Sequence, residues 1–530
     1  MAKANKKATD KEMRKSKKVI LNAQQKQAVS SFTAGLSAAI LLIALISLVV
    51  FIMIKGTAYF WPANVFKVTT ISATSPSDTG QVFVKSSVDQ AEFISALENR
   101  LETQFSGNKA SMPEFEVEQP TKVYQINLLN GDEKLGVFSR LHTQSGQYED
   151  IQRLAKIKAE VNLLQADLRS IQDEQLTVLH RKIANLDQKN VEQGAPARLH
   201  ELELFDYWQS RADELSSQIE QYSIEFTDAM GNPFRVAVKN TDTLFLPNQL
   251  SLGDKFAYSA SKIFAFVSES PKQASTSGGV FPALFGTVLM VLIMAIIVAP
   301  FGAMAAIYLH EYAPNNKLTS IIRICVSNMA GVPSVVYGVF GLGFFVYFLG
   351  GSIDSIFFSE ALPSPTFGTP GLFWAALTMA LLTLPVVIVS TEEGLRRVPE
   401  GLRAGSYALG ATKIETILKT VLPIASPGIM TGVILAVARA AGEVAPLILV
   451  GAVKFAPSLP VDSDFPFLHL ERQFMHLGVF IYDGAFHNQT NTQGSSMMFA
   501  SCMLLLLIVF VLNLFAIIVR KRLRDRFLRL

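Results

Sequence analysis

The sequence predicts an all-α polytopic membrane protein with six transmembrane helices and a mixed α+β domain carried outside the membrane. Three observations carry this reading. Charged residues make up 17% of the 530 positions and hydrophobic ones 50%, whereas a soluble domain carries about 25% charge. The shortage is local, because six apolar runs, at 29–54, 280–308, 324–350, 370–390, 427–451 and 497–519, all but the fifth free of charge, are each long enough to cross about 30 Å of hydrocarbon. The long segment between the first two runs is, by contrast, soluble in composition. The net charge of +3 is small and dispersed, so no concentrated basic face marks a nucleic-acid partner. Cys325 and Cys502 both lie in apolar runs and support neither a disulfide framework nor a zinc site.

The first run is longer than a signal-peptide core and runs from Ile54 into Lys55-Gly56 with no small-residue cleavage site. It reads as a retained anchor. Basic residues are held on the cytoplasmic side during insertion. Residues 1–28 carry eight lysines and Arg14 against Asp10 and Glu12, and the tail 520–530 carries Arg520, Lys521, Arg522, Arg524, Arg526 and Arg529 against Asp525. The loop between the third and fourth runs holds Asp354 and Glu360 and no basic residue. Both termini are therefore expected in the cytoplasm, with residues 55–279 periplasmic and residues 280–519 forming a five-helix core.

Within 55–279, Leu154, Ile157, Val161, Leu164, Leu168 and Ile171 recur at three and four, the spacing of one apolar helix seam. After a register break the seam resumes at Leu176, Leu179, Ile183 and Leu186. Gly194-Ala195-Pro196 ends it, and Trp208, Ala212, Leu215, Ile219 and Tyr222 begin a second seam. Two such seams bury each other as an antiparallel hairpin over about 150–222. Strand-like stretches flank it: 122–129 before Asn130-Gly131, then 223–226 and 234–238 around Met230-Gly231-Asn232-Pro233. A Ser, Thr and Gly linker at 274–279 joins this domain to the second run.

The inner segment 391–426 is far longer than a turn between two spans requires. It reads as two short amphipathic helices with a bend at Gly410, Leu402, Ala408 and Leu409 on one face and Ile414, Ile417, Leu418 and Val421 on the next. Such a face either packs back on its own spans or invites a partner.

This segment resembles the coupling loop of ABC-importer permeases, with Gly410, Ala411, Leu422 and Pro423 at matching spacing. It departs from that pattern at Ala404, where the family has Glu, and at Gly405, Ser406 and Thr420. Three further stretches, 278–287, 328–338 and 438–447, are similar to the phosphate-importer permeases called PstA; the resemblance covers about 278–530. It implies a type I ABC importer permease core in a bacterial inner membrane, passing inorganic phosphate by alternating access. It also implies a second homologous permease, two copies of an ATP-binding subunit and a periplasmic phosphate-binding protein as partners. No Gly-x-x-x-x-Gly-Lys-Ser/Thr loop is present in the sequence, so this chain is expected to bind no cofactor and to be no enzyme. ATP and Mg would be used by the partner.

Arg439 and Glu443 fall inside the fifth run, where an ionisable group is costly and must face a partner, water or a substrate. They are expected on one helix face, either as a structural salt bridge or as part of an oxyanion path. A guanidinium fork matches phosphate oxygens. Phosphate near neutral pH keeps a proton through which it can donate a hydrogen bond to a carboxylate, and sulfate keeps none, so Glu443 would favour the first. Asn328 and Ser334 are further path candidates, or else helix-to-helix hydrogen bonds. Glu392, Glu393 and Arg396 form a candidate inner gate or a solvated loop face. The seven histidines are scattered and no metal site is expected. Molybdate or sulfate transport, or a membrane sensor or scaffold using the outer domain, are the alternatives.

Overall fold

The computed structural model describes residues 23–71, 79–86, 88, 90–104, 114–129, 132–188, 195–272, 277–359, 365–463, 465–487 and 492–527. The basic N-terminal stretch 1–22, the Asn130-Gly131 turn, Gly194, residues 274–276 of the linker, Glu360 and Arg529 lie outside the described residues. Two compact units meet between Lys55 and Gly56. The first holds most of a helix over Ala23–Ala58, whose Ser30–Ala58 portion is apolar enough to cross a membrane. Two of its hydroxyls are satisfied within the helix: Thr33 donates to the Ser30 carbonyl at 3.0 Å and Ser37 to that of Thr33 at 2.9 Å.

The second unit begins with a domain built on two sheets. Strands β1 (Asn64–Ile71), β2 (Thr79–Ser86) and β3 (Glu114–Glu118) form an antiparallel sheet with β1 in the middle. Strands β4 (Val123–Leu128), β5 (Glu133–Thr143), β6 (Gly146–Tyr148), β7 (Ser223–Thr227), β8 (Pro233–Ala237) and β9 (Thr241–Phe245) form the other, ordered β8-β7-β5-β4-β9 with β6 on β5. The helical hairpin leaves between β6 and β7. Its outgoing helix runs from Leu154 to Gln188 and returns over Pro196–Glu220, with Pro196 opening the return helix rather than closing the outgoing one. The register break in the seam is a π-helical turn at Ile171–Leu176, which inserts an extra residue without ending the helix. Near the sheet, Ile157, Val161, Ile219 and Tyr222 join Ile126, Leu141, Ile224 and Phe226 in one core. Farther out, Ile171 and Leu176 close on Ala212 and Leu215.

Five more apolar helices follow: Phe281–Tyr312, Ser334–Phe357, Leu372–Arg396, Lys413–Gly442 and Ser496–Arg522. They are spans two to six, and Leu372–Arg396 is the most enclosed. Its faces meet span two at Gly302, where an added Cβ would lie 2.6 Å from Val387, and span five at Gly428, where it would lie 2.5 Å from the Gly394 Cα. Such close approach of small residues is how helices associate without a hydrophobic driving force between them.

Two spans differ from expectation. The third uncharged run divides: Lys317–Met329 is a separate helix, capped by Asn316, and the span itself starts at Ser334. Pro333 lacks a backbone N–H and disfavours helical backbone at Val332, so the chain breaks there. The fifth run divides as well. Its helix begins at Lys413, well inside the expected loop, and stops at Gly442; Glu443 is extended at φ −81°, ψ 136°, and Ala445–Val450 forms a separate short helix. The helix therefore lies earlier in the chain than the expected 427–451 at both ends.

Asp354 is likewise not a loop charge. It is 1% exposed in the last turn of span three, and its two carboxylate oxygens accept the Phe367 and Gly368 amides at 2.8 and 2.6 Å. Trp374 donates Nε1–H to the Phe367 carbonyl at 2.7 Å and so reports on the same turn. Asp354→Ala strands two buried amides and should cost about 3 kcal/mol. Thermal unfolding in detergent followed by Trp fluorescence should show a lowered midpoint, and an unchanged midpoint would contradict this role.

Candidate functional site

The two helix breaks pack against each other. The helix that starts at Ser334 lies on Ala445–Val450 so closely that a Cβ on Gly338 would sit 2.7 Å from the Pro446 Cα. Only a residue without a side chain fits. Tyr337 sends its Oη–H across the first break to the Met329 carbonyl at 2.9 Å, satisfying one acceptor that the broken helix leaves open. Irregular backbone within a membrane span is tolerated only where protein buries it or a cavity solvates it.

Arg439 lies in the last turn of span five, where the negative end of the helix dipole favours a cation. Its Nε is 3.4 Å from Glu443 Oε1, and the side chains are 34% and 23% exposed. The expected shared helix face is corrected: Glu443 has left the helix, so the pair spans the helix end. Nε is buried and makes no hydrogen bond among the described residues. The pair is thus close, half-buried and incompletely satisfied, a state in which the guanidinium retains donors for another acceptor. Asn328 is exposed near the end of Lys317–Met329, and Ser334 is half-buried beside the first break. Neither side chain hydrogen-bonds to the Arg439–Glu443 pair.

At the other end of span five, the segment 397–412 connects spans four and five through a helix over Glu400–Ala408. Gly410 takes the bend with φ +87°, the left-handed region that glycine enters without steric cost. Thr412 and Glu415 then form a capping box that starts the next helix. The two expected amphipathic faces resolve differently. Ile417 and Val421 are buried, the latter against Leu395 and Val398, whereas Leu402, Tyr407, Leu409, Ile414 and Leu418 are exposed. Ala404 is exposed beside Leu402, and Ala411 is half-buried after the bend. Leu422 and Pro423 belong to the continuous span-five helix rather than to a loop.

This exposed face is clamped from behind by residues the sequence reading missed. Arg403 donates to Glu311 Oε1 at 3.0 Å and to the carbonyls of Leu395 and Val398 at 3.0 and 2.9 Å. Lys413 donates to the Glu311 carbonyl. The candidate gate residues separate. Glu392 is 8% exposed and pairs with Arg323 of the Lys317–Met329 helix at 3.2 Å, and with Arg396 at 3.9 Å, so it is a tie between helices and not a solvated face. Glu393, one position on, points instead into a cavity beside Arg397 and Arg520. Among the described residues no cluster of His, Cys, Asp and Glu could hold a metal ion. Glu311→Ala leaves a mostly buried Arg403 without its carboxylate, at a cost on the order of 3 kcal/mol. Trypsin should then cut after Arg397 and Arg403 several-fold faster in the folded protein, and unchanged cleavage would exclude the clamp.

Residues 298–525 match the family of binding-protein-dependent transport system inner membrane components. A phosphate transport system permease protein PstA of Yersinia pestis is 32% identical over 251 residues, covering 47% of this chain and 75% of that protein. A probable ABC transporter permease protein, YqgI of Bacillus subtilis, is 32% identical over 44% of this chain and 72% of its own length. The phosphate transport system permease protein PstA 1 of Mycobacterium tuberculosis is 40% identical over 33% of this chain, which spans 52% of that protein. The chain therefore matches about half the length of the mycobacterial relatives. Among solved structures, an inward-facing MetNI methionine ABC transporter aligns over 46% of this chain and 94% of its own, at 18% identity and a TM-score of 0.35. With six apolar helices and the sequence matches to the family and to the Yersinia and Bacillus relatives, the chain is a multi-pass membrane protein that belongs to the binding-protein-dependent transport system inner membrane components, among the permeases of the PstA type.

Proposed function

We propose that this chain is the permease subunit of an ATP-driven phosphate importer, passing inorganic phosphate across the bacterial inner membrane by alternating access. The observation that carries this reading is the Arg439–Glu443 pair, held half-buried where two broken helices pack together. Arg439 supplies a permanently charged planar fork for two phosphate oxygens. Glu443 accepts a hydrogen bond from the protonated oxygen that phosphate keeps and repels an anion that carries no proton. The names of the relatives support phosphate as the substrate.

The exposed face of Leu402, Leu409, Ile414 and Leu418 is then the docking surface for a separate ATP-binding subunit, which uses ATP and Mg while this chain performs no catalysis. That face lies in the cytoplasm, together with both termini, and the domain over 55–279 lies in the periplasm beside a phosphate-binding protein. A second permease completes the path, because one Arg–Glu pair supplies only part of an oxyanion cage.

Reconstitution with the partner subunits tests the reading. Arg439→Ala should reduce phosphate uptake at least about a hundredfold with the complex still assembled, and uptake near the wild-type rate would refute the path. Glu443→Gln should let sulfate compete with phosphate. If sulfate stays excluded from that folded variant, the role given to Glu443 fails.

A further inference from the structure

A second cationic site lies far from the Arg439 break. A cavity of 640 Å³ opens among spans four, five and six at the end that also carries the 397–412 connector. Its charged lining is Arg397, Arg520 and Lys521 against Glu393 alone, a balance of three cations to one carboxylate. Among the described residues none of the three cations is in an ion pair, and Arg520 makes one hydrogen bond, to Thr431 Oγ1 at 3.1 Å. The close crossing of Gly394 and Gly428 belongs to the same lining, so spans four and five meet at the cavity wall. Ile424, Leu435 and Ile517, all more than two-fifths exposed, give the cavity apolar flanks that continue along the membrane-facing helices.

Three cations are costly to hold around one cavity unless an anion joins them, because like charges in a partly enclosed space repel and are poorly screened. A basic pocket between transmembrane helices, cationic at its mouth and apolar along its sides, fits a phosphate group. We infer that this cavity binds a phosphate oxyanion, with Arg397, Arg520 and Lys521 as its charge partners and Ser390 and Thr431 as hydroxyl partners. Two sources carry that chemistry: the headgroup of an acidic phospholipid, whose chains would follow Leu435 and Ile517, or free inorganic phosphate. The inference stands apart from the path at Arg439, since the two share no residue.

The test uses the full chain in neutral detergent at fixed ionic strength, in an Arg439→Ala background so that binding at the other site does not contribute. Short-chain phosphatidylglycerol and inorganic phosphate are titrated separately by microscale thermophoresis. At least one should bind, and the combined R397Q, R520Q and K521Q substitutions should weaken it at least tenfold. Glu393→Gln, which removes the opposing carboxylate and keeps all three cations, should tighten binding about threefold and does not depend on the triple variant folding. Binding of phosphatidylglycerol alone assigns a lipid headgroup, and binding of inorganic phosphate assigns the free ion. Absence of binding of both, or binding by E393Q no tighter than in its parent, overturns the inference.

Discussion

The contact of Gly338 with Pro446 is the constraint from which the membrane half follows. Each of two spans gives up its helix at a proline-adjacent point, and each break frees backbone groups that lipid cannot satisfy. Packing the breaks together shelters both. Tyr337 closes one with a hydrogen bond to Met329, and the end of the other places Arg439 in a terminal turn where its charge is favoured. A charged side chain inside an uninterrupted apolar helix would meet only neighbouring methyl groups. At a helix end it meets Glu443, which the extended backbone has turned out of the helix.

The same helix connects this pair to the other end of the membrane. From Ile414 to Arg439 span five runs without a break, interrupted only by the π-helical turn Ile417–Val421. At 1.5 Å per residue this places the exposed apolar face and the charged pair about 37 Å apart on one rod. The clamp of Arg403 and Lys413 on Glu311 fixes the exposed face to the end of span two, and Glu392 with Arg323 fixes span four to the helix before the first break. A partner that docks on Leu409 and Ile414 therefore pushes on elements tied to both breaks. In the proposed transporter, this is how nucleotide-driven contact would shift the population between two access states.

Much of this was legible in the residues. The six apolar runs marked six helices because length and scarcity of charge are what a bilayer demands, and the seam slip between Ile171 and Leu176 marked the π turn because an extra residue shifts a helical period. Gly410 marked the bend. The breaks at 330–333 and 443–444 were harder to place, since an apolar run reads alike whether it is one helix or two; Pro333 and Pro446 were the signal. The pairing of Glu392 with Arg323 and of Glu311 with Arg403 was illegible for another reason. Each joins residues about 70 to 90 positions apart, and no local period encodes a partner at that separation. The small sheet of β1 to β3 was missed although β3, Glu114 to Glu118, alternates strictly at period two; it is only five residues long, and β1 and β2 alternate less regularly.

The central claim is that the two breaks must stay packed for phosphate to act through Arg439, and Gly338→Leu tests it most directly by driving a side chain into Pro446 without touching any charge. Phosphate-stimulated ATP hydrolysis by the reconstituted transporter should fall to the unstimulated rate in this variant, with the subunits still co-purifying. Stimulation at the wild-type level in Gly338→Leu would contradict the account.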